Sequence, residues 1–141
     1  MFQATTTVRV RYSETDQMGV VYHGNYAAFF EIGRTDALRE MNLSYKQFEE
    51  EGVMMPVLDL SMNFHKSAYY DDLLIIKTSI HAMPSIRTRF DYEIYNQKNE
   101  LITTGHVTLV SVNTMTRKPC KSPTVLLQKL QPYFKLGPEK L

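Results

Sequence analysis

The sequence is poor in cysteine and has no long apolar stretch near its start. Cys120 is the single cysteine among 141 residues, so an internal disulfide cannot form and the class of disulfide-stapled secreted domains is excluded. Threonines occupy positions 5 to 7, where a signal peptide would need a long apolar run. We therefore predict a cytoplasmic protein.

Long hydrophobic runs and an excess of one charge are also missing. No segment approaches the roughly 18 apolar residues of a membrane span, so membrane insertion is not expected. Sixteen Lys and Arg balance fifteen Asp and Glu, which leaves a net charge of +1 and no overall field that would attract nucleic acid or anionic lipid. Any anionic ligand must therefore be held by a local cluster of basic side chains.

Several catalytic motifs are absent. The four histidines and Cys120 lack the close pairings of a zinc site, and neither a Gly-x-Ser-x-Gly motif nor a phosphate-binding glycine loop occurs. We expect no metal, no cofactor and no serine hydrolase chemistry. Repeats, linkers and low-complexity segments are missing too, so residues 1–141 are predicted to form one domain.

The hydrophobic patterns predict an α+β domain. Residues 5 to 12 alternate as a half-buried strand, and residues 25 to 41 carry an apolar stripe at helical spacing. Ser44 is a candidate N-cap for a short helix over residues 45 to 51. Further strands are predicted at about 58 to 64, 73 to 83, 86 to 95 and 101 to 112, and a last helix near 123 to 134. Short polar breaks between the last three strands favour an antiparallel meander, and a sheet that wraps the first helix.

The loop between the first strand and the first helix is the most informative segment. Residues 12 to 26 read YSETDQMGVVYHGNY. Asp16 precedes the helix start, where free backbone N–H groups and the helix dipole favour a developing negative charge. A carboxylate beside an oxyanion site is the minimum equipment for hydrolysing an activated acyl group. In the simpler interpretation Asp16 orders the turn, His23 bonds locally, and Gly19 and Gly24 supply backbone freedom.

This loop resembles the signature of acyl-CoA thioesterases in the YbgC and FadM group of the 4-hydroxybenzoyl-CoA thioesterase superfamily. The shared pattern is an acidic-Thr-Asp triplet, a glycine, a hydrophobic pair, Tyr-His, and then Asn or Ser before Tyr. The resemblance continues through residues 63 to 72, NFHKSAYYDD, and spans roughly residues 5 to 135. One departure is Lys66-Ser67-Ala68, where many relatives carry Arg-Pro-Ala.

The resemblance implies a hotdog fold, in which an antiparallel sheet wraps a long central helix, and hydrolysis of an acyl-CoA thioester. Asp16 would be the nucleophile or general base, and the backbone N–H of His23 would polarise the carbonyl. The His23 side chain and Tyr12 would position substrate or water. No cofactor is needed, because the thiolate leaves readily. The family also implies a homo-oligomer, a dimer or a homotetramer built from dimers, with the site between subunits.

Other residues are expected to bind the substrate. Tyr22, Gly24 and Asn25 belong to the same loop, while Lys66, Arg87 and Arg89 are candidate contacts for the CoA phosphates. Solvated strand faces would explain the basic residues equally well. Glu31 and Arg34, three residues apart on the helix, are interpreted as a surface ion pair or a subunit contact.

Two alternatives remain at this level. The acyl carrier could be a phosphopantetheine-bearing protein instead of CoA, or the chain could be a non-catalytic acyl-CoA binding module. The acyl group is not defined by the sequence, because candidate tunnel residues are equally good core residues: Phe29, Phe30, Met54, Met55, Leu58 and Leu60.

Overall fold

The computed structural model describes residues 1–134. The predicted single domain, residues 1–141, thus extends beyond the described residues. The elements, in chain order, are β1 (Phe2–Arg9), α1 (Asn25–Glu40), α2 (Tyr45–Glu50), β2 (Val53–Met54), β3 (Val57–Phe64), β4 (Leu73–Ile80), β5 (Arg87–Tyr95), β6 (Leu101–Val110), β7 (Val112–Asn113) and α3 (Thr124–Phe134). A single 3₁₀ turn, Tyr12–Glu14, follows β1.

Five strands form an antiparallel sheet in the order β1-β4-β5-β6-β3, so β1 and β3 are its edges. The predicted meander from β4 to β6 is confirmed, and so is the α+β class. The strands β2 and β7 pair as a separate two-stranded ribbon that the sequence did not predict. Two residues per strand are too few to produce a period-two pattern.

Helix α1 packs against one face of the sheet through a buried stripe that includes Tyr26, Phe30 and Ala37. The Phe30 ring stacks on Tyr92 of β5, with ring centroids 4.1 Å apart. Gly105 of β6 makes room for this packing, because a Cβ there would lie 2.8 Å from the Phe30 ring and would also clash with the Ser61 carbonyl. Phe29 and Phe30 are fully buried and are core residues.

The predicted first strand is shifted. The strand ends at Arg9, and Tyr12 begins the 3₁₀ turn with 79% of its surface exposed. The prediction of a half-buried strand over residues 5 to 12 was therefore wrong at its end, because Tyr12 lies outside the strand and is exposed. The Glu14 carboxylate accepts the Arg11 backbone N–H at 2.8 Å, which stabilises a turn where the alternation suggested a strand. At the other end the strand starts earlier, because Phe2 and Ala4 are buried.

The predicted surface ion pair between Glu31 and Arg34 is also wrong. Arg34 is buried, and its guanidinium donates to the hydroxyls of Tyr45, at 3.0 Å, and Tyr92, at 3.2 Å. Arg34 lies four residues after Phe30, on the same helical stripe, so the helix turns it inward. Among residues 1–134 no helix is both long and apolar enough to cross a membrane.

Candidate active site

A tight turn places Asp16 between β1 and α1. The Gly19 N–H donates to the Asp16 carbonyl at 2.9 Å, and the Asp16 N–H donates to the Val20 carbonyl at 2.8 Å. Gly19 has φ +81°, a left-handed conformation that favours glycine. One carboxylate oxygen, Oδ1 of Asp16, accepts the Met18 N–H at 2.8 Å. The simpler interpretation of Asp16, that it orders the turn, therefore applies to one of its two oxygens.

The second carboxylate oxygen of Asp16 is available. Within residues 1–134, Oδ2 accepts no hydrogen bond and the carboxylate forms no salt bridge. Asp16 is half-buried. One oxygen thus fixes the side chain while the other can act on a ligand or a water molecule.

The start of α1 supplies hydrogen-bond donors. The Asn25 N–H donates to the Tyr22 carbonyl at 2.9 Å, and the Tyr26 N–H donates to the His23 carbonyl at 3.2 Å. The backbone N–H groups of His23 and Gly24 donate to no acceptor in the part of the chain that the structure describes. Gly24, the N-cap, has no side chain to satisfy them. Two free N–H groups at the positive end of a helix form an electrostatic site for an oxyanion.

Asp16 and His23 line the same cavity. Its volume is about 260 Å³, and its walls combine apolar side chains with polar ones: Asp16, Met18, Val20, Val21, His23, Tyr26, Phe64, His65, Lys66 and Ser67. The cavity can therefore accommodate a ligand that has an apolar part and a polar part. The pairing of Asp16 with the helix start therefore occurs in space as well as in sequence.

Aromatic rings hold the His23 side chain. The His23 ring lies 4.5 Å from the Tyr22 ring and 6.5 Å from the Phe64 ring, measured between centroids. Phe64 also packs on Tyr26 at 5.4 Å. Burial raises the pKa of Tyr26, so its hydroxyl stays neutral near pH 7. The rings of His23, Tyr26 and Phe64 thus line the same cavity as Asp16.

Asn25 bonds within the chain. Its side-chain Nδ2 donates to the Glu14 carbonyl at 2.8 Å, and the Tyr22 N–H donates to the same oxygen at 2.9 Å. Tyr22 is about half exposed, and its ring packs beside His23. Gly24 contributes its backbone only.

Not all predicted residues lie at this cavity. Tyr12 is outside it, with its ring edge-on to Tyr70 at 5.8 Å. Lys66 lines the cavity and pairs with Glu100 at 2.8 Å, and that hydrogen bond raises the pKa of Lys66. Arg87 and Arg89 line a different cavity of about 620 Å³, together with Asp59, His81, Ala82, Met83, Asp91, His106 and Thr108.

Comparison with known proteins identifies the family. The model of the Thioesterase superfamily matches residues 18–103. Escherichia coli acyl-CoA thioester hydrolase YbgC is 34% identical over 124 residues, which cover 88% of this chain and 92% of that protein. Bacillus subtilis YneP is 37% identical over 103 residues, covering 71% and 75% of the two chains. The chain belongs to the thioesterase superfamily.

The thioesterase also resembles solved structures along nearly its whole length. A Staphylococcus aureus DHNA-CoA thioesterase has a TM-score of 0.80 and 39% sequence identity, and the similarity covers 95% of this chain and 85% of that one. The resemblance to hotdog-fold thioesterases predicted from the sequence is therefore confirmed, and the chain is a thioester-hydrolysing enzyme. The matched family segment includes His23 and Lys66 and begins two residues after Asp16.

Sequence reasoning missed several cavity residues of the thioesterase, among them Met18, Phe64, His65 and Ser67. Three of them, Phe64, His65 and Ser67, lie within two residues of Lys66 in the second region of family resemblance. Their adjacency to a predicted ligand contact was the signal that could have found them. Among residues 1–134, no group of three or more His, Cys, Asp and Glu side chains is arranged to hold a metal ion.

Proposed function

We propose that this thioesterase hydrolyses an acyl-CoA to the free carboxylic acid and CoA. One observation carries the proposal: Asp16, which has a free carboxylate oxygen, and His23, whose backbone N–H is free at the start of α1, line the same cavity. The N–H groups of His23 and Gly24 stabilise the carbonyl oxygen as it becomes negative. Asp16 provides or activates the nucleophile on the carbonyl carbon.

Two routes lead from this arrangement to the same products. In direct attack, Asp16 Oδ2 bonds to the acyl carbon, the C–S bond breaks, and water then hydrolyses the resulting anhydride. In general-base catalysis, Asp16 takes a proton from a water molecule that attacks the carbon, and the C–S bond breaks as the intermediate collapses. Both routes consume one water molecule and release one acid and one thiol. The His23 side chain orients the substrate or the water.

The proposed CoA specificity rests on basic residues and on the relatives. The E. coli relative is an acyl-CoA thioester hydrolase by name, and the S. aureus structure is that of a DHNA-CoA thioesterase. Lys66 is at the cavity and could meet a phosphate of the carrier. Arg87 forms no ion pair within residues 1–134, whereas Arg89 pairs with Asp91 at 3.0 Å. Arg87 is therefore the stronger candidate of the two for a CoA phosphate.

We propose that the enzyme is a dimer joined along β3. β3 is an edge strand. Its apolar residues Leu58, Leu60 and Phe64 alternate with polar ones along the strand, and they are 46%, 46% and 53% exposed. The other edge, β1, buries its apolar residues Phe2 and Ala4. A long edge with exposed apolar side chains favours pairing with another chain. A second copy on β3 would cover Phe64 and close the cavity on its open side, so the site would be complete only between subunits.

The dimer gives Arg87 and Arg89 a place in the site. Asp59 lines their cavity, and Phe64 lines the cavity of Asp16. Their separation of five positions corresponds to about 17 Å along an extended strand. Antiparallel pairing of two β3 strands would bring the arginine cavity of one subunit towards the Asp16 cavity of the other. We also propose that the sheet wraps α1 as the central helix of the fold, as the family resemblance implies.

An aromatic acyl group is a second candidate beside an aliphatic one. The observation that favours it is the set of rings from His23, Tyr26 and Phe64 around the cavity. Such rings pack well on a flat aromatic acyl group. The 39% identical S. aureus structure is that of a DHNA-CoA thioesterase, and a 27% identical relative is named a 1,4-dihydroxy-2-naphthoyl-CoA hydrolase. Tyr22, whose ring packs beside His23, would then contact the acyl group or its carrier from the loop.

The function is tested by release of free thiol from a panel of substrates. Short aliphatic, long aliphatic and benzoyl thioesters of CoA are each compared with the same acyl group on a phosphopantetheine-bearing carrier protein and on pantetheine alone. We expect turnover of at least one CoA thioester, and lower kcat/KM for the pantetheine thioester that lacks the nucleotide phosphates. Turnover only on the carrier protein would support the acyl-carrier alternative. Binding without thiol release from any substrate would support the non-catalytic module.

A further inference from the structure

Asn25 makes a contact that the proposed chemistry leaves unexplained. It is the first residue of α1, yet its side chain does not cap the helix, and the N-cap position is held by Gly24. The Asn25 side chain donates instead to the carbonyl of Glu14, eleven residues earlier, with Nδ2 and O 2.8 Å apart. Together with the backbone bond from the Tyr22 N–H to the same carbonyl, this side-chain bond links the first helical residue to the segment before Asp16.

The acceptor of this bond is itself fixed. The Glu14 side chain is buried, and its two carboxylate oxygens accept the Arg11 backbone N–H at 2.8 Å and the Arg11 guanidinium at 3.1 Å. The Glu14 carbonyl also accepts the Tyr22 N–H at 2.9 Å. Glu14 is thus a rigid anchor for two donors, one from the backbone before the helix and one from the first helical residue.

The two linked residues bracket the reacting groups. Asp16 follows Glu14 by two residues, and the free N–H groups of His23 and Gly24 belong to the two residues before Asn25. The turn between Asp16 and Gly19 holds the carboxylate locally, but it does not hold the helix start. The Asn25 bond therefore connects the segment of the nucleophile or base to the segment of the oxyanion donors.

We infer that Asn25 is a positioning residue, which fixes the distance between the Asp16 carboxylate and the oxyanion donors of His23 and Gly24 through its bond to the Glu14 carbonyl. The inference rests on the proposed function. It replaces a direct substrate contact as the role of the Asn25 amide, because that amide is already engaged within the chain. A displacement of about 1 Å between reacting groups can lower turnover by about 100-fold.

The test compares Asn25→Leu, which keeps the approximate shape and removes the donor, with wild type. The substrate is the CoA thioester that the wild-type enzyme hydrolyses fastest. We expect kcat to fall by about 10- to 100-fold while KM, and the Kd of the matching thioether analogue of CoA, stay within a factor of about two. Asn25→Ser, which restores a shorter donor, should recover part of kcat.

Ser44→Ala is the matched control for stability. Ser44 caps α2, remote from the loop in sequence and outside its hydrogen-bond network. Its loss should lower the melting temperature comparably while kcat stays at the wild-type value. A rise in KM with kcat unchanged in Asn25→Leu would overturn the inference in favour of a substrate contact. Unchanged kcat and KM would overturn it altogether.

Amide hydrogen exchange separates this inference from the proposed function. In Asn25→Leu, the Tyr22 amide proton should exchange faster than in wild type, because Tyr22 shares the Glu14 carbonyl with Asn25. Ser44→Ala should leave that rate unchanged. If wild type hydrolyses no thioester, the proposed function fails, and the exchange rates still test the link. Unchanged protection of Tyr22 in Asn25→Leu would show that the bond does not hold the loop.

Discussion

Single residues in this enzyme have more than one role, and the sequence revealed only some of them. The sequence predicted both a turn-ordering and a catalytic role for Asp16 and left them as alternatives. The structure assigns the first to Oδ1, which accepts the Met18 N–H, and leaves Oδ2 for the proposed chemistry. The predicted surface position of Arg34 is wrong. Its spacing from Glu31 suits an ion pair, but its spacing from Phe30 places it on the buried side of the helix.

The buried tyrosines make stability depend on alkaline pH. Burial raises the pKa of Tyr92, Tyr45 and Tyr26 above the ordinary tyrosine value of 10.0. Their neutral hydroxyls are favoured in the folded state, so their contribution is complete below that value. As the pH rises above it, the unfolded chain ionises first and the free energy of unfolding falls.

We predict that Tyr92→Phe reduces this alkaline loss. The variant should be less stable than wild type at pH 7, by about 1–3 kcal/mol, because Arg34 loses a hydrogen-bond acceptor. Between pH 9 and about 11 its free energy of unfolding should fall less steeply, since one ionising group with a raised pKa is gone. Urea denaturation at a series of pH values measures both effects. Identical slopes for the two proteins would contradict the account.

The elements with strong local signals were predicted well. Ser44 caps α2 as expected, with its hydroxyl accepting the Gln47 N–H at 3.3 Å and its own N–H donating to the Gln47 side chain at 2.8 Å. The strand β5 alternates closely between exposed and buried residues, and β4 and β6 lie within their predicted ranges. The pairing of β2 with β7 could not be predicted, because it depends on where the chain returns in three dimensions. The exposure of both faces of β3 could not be predicted either, since alternation shows that one face is apolar and not whether another element covers it.

The exposed face of β3 supports a prediction about assembly. Leu60→Lys places a charge in the middle of that face, and burying it against a second copy would be costly. We expect wild type to have the mass of a dimer, or of a tetramer built from dimers, and Leu60→Lys to be a monomer with at least about tenfold lower kcat/KM. Light scattering and thiol release measure the two properties.

The control for this variant is Thr5→Lys. Thr5 is exposed on β1, the opposite edge of the sheet, so the added charge should change neither mass nor turnover. A wild-type monomer with full activity would disprove the shared site. A Leu60→Lys dimer of unchanged stability would place the interface elsewhere.

At the scale of the whole molecule, the fold is explained more fully than the substrate. The striped helix and the meander predict an α+β domain, and the sequence of the loop alone indicates the family. The cavity could not be predicted in the same way, because Phe64 and His65 come from β3 and the segment after it, 48 and 49 residues beyond Asp16 in the chain. In the proposed dimer, the second copy would cover the open side of this cavity and bring the arginine cavity towards it.

The central claim is that Asp16 acts on a thioester carbonyl held at the start of α1. Asp16→Asn tests it most directly, because the asparagine oxygen can still accept the Met18 N–H and keep the turn. Asp71→Asn is the matched control, since Asp71 has φ +69°, which asparagine tolerates, and lies outside the cavity.

The measurement is the rate of free thiol release from the best CoA thioester of the panel, with melting temperature as the check on folding. We predict that Asp16→Asn melts within a few degrees of wild type and loses at least about 100-fold in kcat, while Asp71→Asn keeps the wild-type rate. Full turnover in folded Asp16→Asn would show that the carboxylate is not the reacting group.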